Sequence, residues 1–230
     1  MQNPLKTLTK FEWLLWIASV LTVAISFLIV PERDLLTLTS SIIGVTALIF
    51  VAKGHVIGQL LCIIFAVFYG IISFYFKYYG EMITYLGMSA PTALAALISW
   101  IRHPFRQSAE VEVKETTKKD LALLFSLATA VTIAFFFILK AFGTANLAVS
   151  TLSVTTSFLA SFLTVLRSPY YALAYAANDV VLIVLWILAA LSDISSLPMV
   201  ACFVAFLAND LYGYINWSRM KKRQKNEKNA

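Results

Sequence analysis

Long apolar stretches alternate with short polar breaks from one end of this chain to the other. The stretches cover residues 11–30, 35–52, 56–76, 82–101, 121–139, 147–166, 170–191 and 197–217. Each is close to the ~20 residues with which a helix crosses about 30 Å of hydrocarbon. No water is available there, so every backbone N–H and C=O must be bonded within the protein; helices achieve this and open sheets do not. The pattern therefore predicts an all-α membrane protein of about eight transmembrane helices. The first stretch, at about 19 apolar residues, exceeds the ~7–15 of a signal-peptide core, and no small-x-small cleavage site follows it, so it reads as a retained helix.

Composition points the same way. Apolar side chains make up 60% of the 230 residues and charged ones 13%, against about 45–50% and 25% in soluble domains. With a cytoplasmic N-terminus, Lys6, Lys10, Lys53, Arg102, Arg106, Lys114, Lys118, Lys119, Arg167 and the six cations from Arg219 to Lys228 all fall on the inner side. Arg33, Lys77 and Lys140 are left outside, so fifteen of eighteen cations are inside, as the positive-inside rule asks. An even number of spans with both termini cytoplasmic follows. The net charge of +6 sits next to helix ends, which fits anionic lipid at the cell membrane and not a nucleic-acid patch.

The longest break, residues 102–120, is about half charged and divides the chain into two blocks. An offset of 114 residues pairs Thr37-Leu38-Thr39 with Thr151-Leu152-Ser153 and the inner loop at Lys53 with that at Arg167. Hydropathy and breakpoints match through three spans, although side-chain identity is low. One transmembrane domain is expected over residues 1–230: an extra N-terminal helix (11–30), a three-helix repeat (35–102), a linker helix (121–139), a second three-helix repeat (147–217) and a basic tail (218–230). An odd repeat plus a single linker makes the two repeats parallel, about an axis along the membrane normal, and substrate sites of repeat-built carriers lie near the midplane between repeats.

The seventh stretch carries the sharpest chemistry. At about 100° per residue, Tyr171, Tyr175, Asn178, Asp179, Leu182 and Trp186 share one arc, and the rest of the helix is almost wholly Ala, Val, Ile and Leu. Asn178 and Asp179 fall near the bilayer centre, where a carboxylate costs at least about 2.5 kcal/mol unless it faces a cavity or partner. The structural alternative is interhelical hydrogen bonding, worth about 0.6 kcal/mol. On the third stretch Gln59, Tyr69, Ser73 and Lys77 align beside small Cys62, Ala66 and Gly70. On the eighth, Asn209, Tyr212 and Asn216 align, while Asp210 reads as interfacial or paired. Trp13, Trp16, Trp100 and Trp217, near helix ends, read as belt aromatics, as do Tyr78 and Tyr79. Cys62 and Cys202 lie inside spans and imply no disulfide. His55 and His103 have no metal spacing, and there is no HExxH, GxGxxG, P-loop or Ser/His/Asp pattern, so neither enzyme chemistry, metal nor cofactor is expected.

The chain resembles the PnuC family of vitamin and nucleoside transporters. The likeness rests on KYYGEMITYLGMSAP (residues 77–91), on the aromatic-x-x-Asn pattern from Tyr175 to Asn178, and on NDLYGYINW (residues 209–217) before a basic tail. It covers nearly the whole length. It implies a SWEET-like 3+1+3 core and facilitated diffusion of nicotinamide riboside, which a cytoplasmic riboside kinase then traps for NAD synthesis. Tyr175 stands where the riboside carriers have Trp. The resemblance also leaves open deoxynucleoside, thiamine or riboflavin uptake; the residues themselves leave open proton coupling through Asp179 and a non-transporting scaffold or sensor working through the charged inner loop. The candidate substrate residues are Gln59, Tyr69, Tyr171, Tyr175, Asn178, Asp179, Asn209 and Tyr212. The expected partners are a small nucleoside-like substrate and membrane lipid, with self-association left open.

Overall fold

The apolar stretches form eight helices in the computed structural model, which describes residues 7–30, 35–75, 79–106, 108–144 and 146–229. They are α1 (Lys10–Ile29), α2 (Leu35–Ala52), α3 (Val56–Tyr75), α4 (Tyr79–Arg102), α5 (Lys118–Ala141), α6 (Leu147–Val165), α7 (Tyr171–Ser192) and α8 (Leu197–Asn229). Lys6, Arg33, Lys77 and Tyr78, placed in loops or at helix ends from sequence, lie outside the described residues. Among the described residues the only β pairing is two isolated bridges, His55 with Glu110 and Pro104 with Val111.

Local chemistry sets the breaks. α1 and α5 open on capping boxes, Thr9 with Glu12 and Thr117 with Asp120, each satisfying two backbone N–H groups that the first turn leaves unbonded. α2 and α3 are separated by Gly54, whose φ of 66° suits a residue without Cβ. α4 is interrupted at Tyr85–Ser89 by a π-turn, closed by the Ala90 N–H donating to the Tyr85 carbonyl. Pro91 comes directly after, and a proline ring collides with the carbonyl four residues before it, which favours a widened turn there.

α2 packs between α3 and α8, and α7 between α6 and α8, so these five helices form the interior. α1 lies outside α2 and α8, and α5 lies against α6. Their outer faces expose Leu14, Leu21, Leu28, Leu123, Phe125 and Phe137, a surface suited to lipid and not to water. α1 is fastened by one buried carboxylate: Glu12 accepts from Lys53 Nζ at 3.0 and 3.1 Å, from the Tyr212 hydroxyl at 2.7 Å and from the Thr9 N–H at 2.6 Å.

At the end of the bundle that carries the C-terminal tail the structure departs from the sequence expectation in two ways. The basic tail does not stop at the span: α8 continues unbroken to Asn229, and the loop after α4 lies along it. Gln224 accepts from the Val113 N–H at 2.8 Å and donates to the Val111 carbonyl at 3.0 Å, while Arg223 pairs with Glu110 and Lys228 with Glu112. The Lys228 ammonium holds Glu112 below the usual carboxylate range. Trp100 and Trp217 are not belt residues either. Both are fully buried, 5.3 Å apart, and donate to the carbonyls of Thr164 and Val51.

Candidate functional site

The interior helices converge on a small cavity of about 90 Å³. α3 contributes Gln59 and Cys62; the π-turn of α4 contributes Tyr85 and Ser89; α7 contributes Tyr175, Asn178 and Asp179; α8 contributes Phe206 and Asp210. Tyr85 and Ser89, four residues apart, reach the same wall from the two ends of the π-turn. Opposite, Gly44 on α2 leaves room for the Phe206 ring, which would lie 2.5 Å from a Cβ at that position.

Two of the polar groups on the wall are held by neighbouring hydroxyls. The Asn178 side-chain oxygen accepts from Thr156 Oγ1 at 2.8 Å, and the Tyr175 hydroxyl is 3.0 Å from Ser161 Oγ. Asp179 and Asp210 are neighbours on this wall. Two neighbouring carboxyls can share one proton, one donating and the other accepting, and a pair in that state carries a single negative charge. Both residues are almost fully buried.

Four of the eight sequence candidates line this cavity: Gln59, Tyr175, Asn178 and Asp179. Tyr69 lies one layer away, its ring 4.1 Å from that of Tyr85 and edge-on to Trp186 at 6.3 Å. Tyr171 is packed in the inner cluster against Trp217 at 4.9 Å. Asn209 turns toward α1, donating to Ser19 Oγ at 2.8 Å and to the Ala205 carbonyl at 2.7 Å. Tyr212 serves Glu12. Sequence reasoning misses Asp210 and Tyr85. A signal for Asp210 is present: Ala-Asn-Asp occurs at 177–179 and again at 208–210. On α7 both polar residues reach the cavity, whereas on α8 the Asn and Asp diverge.

The layer of Tyr69, Tyr85 and Trp186 lies between this cavity and a second, larger one of about 340 Å³ at the opposite end of the bundle from the α8 tail. Ligand pockets usually measure about 300–1,000 Å³, and a water occupies about 30 Å³ of liquid. The central cavity is thus a narrow seam too small for a nucleoside, and admitting one requires its helices to part.

Comparison with known proteins agrees with this architecture. A family model described as nicotinamide mononucleotide transporter matches residues 34–219. The nicotinamide riboside transporter PnuC of Neisseria mucosa is 28% identical over 222 residues, covering 94% of this chain and 83% of the relative. That of Haemophilus influenzae is 25% identical over 211 residues, covering 90% of each. A crystal structure of the vitamin B3 transporter PnuC superposes with a TM-score of 0.81 at 27% identity, over 94% of both chains.

Proposed function

The chain belongs to the nicotinamide mononucleotide transporter family, the PnuC transporters, and from that premise we propose that it carries nicotinamide riboside across the cell membrane by facilitated diffusion. The observation that supports the substrate is the Asp179–Asp210 pair. A pyridinium nucleoside carries one positive charge on an aromatic ring, and the pair offers one negative charge in a dry site where Coulomb attraction is strong. Tyr175 and Tyr85 give ring faces for cation–π contact, and Gln59 and Asn178 give hydrogen bonds for the sugar hydroxyls. Thiamine shares the cationic ring; riboflavin and deoxynucleosides do not. The carrier leaves its substrate covalently unchanged, and a cytoplasmic riboside kinase would keep it inside.

Proteoliposomes given radiolabelled nicotinamide riboside, thiamine, riboflavin and deoxynucleosides should accumulate the riboside alone, to the outside concentration and no further. Uptake of thiamine in its place would overturn the substrate. A second reading, proton-coupled carriage, is favoured by the shared proton of the same pair. An inward-acid gradient and an outward-acid gradient should give equal riboside accumulation if the carrier is a uniporter, and unequal accumulation if the pair moves a proton per cycle.

The same proposal takes residues 35–102 and 147–217 as two parallel three-helix units joined by α5, with both termini cytoplasmic. The support is the cation bias: fifteen of eighteen on one side. A cysteine appended after Ala230 is expected to resist an impermeant thiol reagent in intact cells and to react after permeabilisation. Reaction before permeabilisation would reverse the topology.

A further inference from the structure

We propose that the larger cavity is a second binding site, an outer station for an aromatic organic cation, separate from the central seam and reached before it. Its walls come from the start of α4, the residues between α5 and α6, Ser150 on α6, and the end of α7 with Asp193 beyond it. Glu81 is 7% exposed, and its Oε2 has no hydrogen-bond partner among the described residues. Thr144 Oγ1, on the same wall, is likewise buried and unpartnered among them. A buried carboxylate oxygen left unbonded is costly, and the natural remedy is a ligand that brings positive charge or a donor. Asp193 adds a second carboxylate at the rim, and no basic side chain is on the described lining.

The remaining walls choose among cations. Tyr79, Phe142 and Trp186 present aromatic faces, and a cation over such a face within about 6 Å is attracted by the ring quadrupole. A calcium ion wants about six to eight oxygens, and the described residues contain no group of three carboxylate, His or Cys ligands. At about 340 Å³ the space is nucleoside-sized, nearly four times the central cavity of about 90 Å³. The layer of Tyr69, Tyr85 and Trp186 separates the two sites, and Trp186 faces the outer one. A cationic ring held at Glu81 therefore waits against the aromatic layer that must open to admit it. That the cation is the transported riboside rests on the carrier reading above; the site itself does not.

The probe is the N-methylated cation of nicotinamide, with uncharged nicotinamide as control, titrated calorimetrically into the purified full-length protein. In protein carrying Asp179→Asn with Asp210→Asn, which removes the central charge, the cation should still bind, and adding Glu81→Gln should weaken it about tenfold or more while the neutral control changes little. In the same background Ala189→Phe, which fills the outer cavity from α7, should abolish binding. Elution volume and melting temperature verify that each variant is folded, and if Glu81→Gln fails to fold, the cavity-filling variant decides alone. Cation affinity that is lost in the double asparagine background, or that is unchanged there on adding folded Glu81→Gln or Ala189→Phe, would overturn the outer site. Riboside uptake distinguishes the two proposals: a wild type that binds the probe through Glu81 but does not transport the riboside sinks the carrier reading alone. One that transports it with Glu81-independent probe binding sinks the outer site alone.

Discussion

Replacing both carboxyls, as Asp179→Asn with Asp210→Asn, is expected to weaken binding of nicotinamide riboside by about a hundredfold or more, whereas Asp179→Asn alone should cost about tenfold at most. The asymmetry comes from the shared proton. An asparagine amide imitates the protonated member of the pair: it donates to the remaining carboxylate, and the site keeps its one negative charge. Only the double change removes the charge that the pyridinium ring meets. The reverse single variant, Asp210→Asn, should resemble Asp179→Asn, so the two substitutions are strongly non-additive, as expected for residues in contact. Calorimetric titration of the four proteins with the riboside and with a neutral ring isostere makes the comparison. Neutral-ligand affinity should vary little across the set. Additive effects, or equal losses for both ligands, would show that the pair is structural and that the charge match is not what selects the substrate.

The second large effect concerns the wall opposite that charge. Tyr175→Ala and Asn178→Ala should each remove most riboside uptake, since an aromatic stacking contact is worth about 1–3 kcal/mol and each 1.4 kcal/mol is tenfold in affinity. Tyr175→Phe keeps the ring face, loses only the bond to Ser161, and should retain uptake within about threefold. Folding should survive Asn178→Ala for a local reason. Thr156, which donates to Asn178, also lies within bonding distance of the carbonyls of Leu152 and Ser153, so its hydroxyl is not orphaned by the change. Initial uptake rates in proteoliposomes, set beside melting temperatures, separate loss of site from loss of fold. Wild-type rates in both alanine variants would move the substrate away from α7.

Length and hydropathy alone determined the eight spans and their order, because crossing hydrocarbon as a self-satisfied helix leaves the chain little choice. Thr9 and Thr117 are legible as caps because a capping box is a local device, complete within four residues. The inward face of α7 was legible too, since Asn178 and Asp179 can be tolerated at that depth only away from lipid. Tertiary structure decided the rest. A polar arc on one helix gives spacing but not rotation against its neighbours, and in a membrane the lipid face and the packed face are equally apolar, so little in the pattern marks which is which. On α8 the adjacent Asn209 and Asp210 point about 100° apart. The interior orientation of the helix gives Asn209 to Ser19 on α1 and Asp210 to the cavity, the opposite of what their sequence neighbourhood suggested. Tyr85 was hidden for a different reason: its stretch carries no charged or amide side chain near the bilayer centre to mark an inward face, and a tyrosine alone suits packing as well as a site. Tyr212, Trp100 and Trp217 carry side chains that suit an interface, yet their hydroxyl and indole groups are used by Glu12, Thr164 and Val51, partners distant in sequence that only the packed bundle brings within reach.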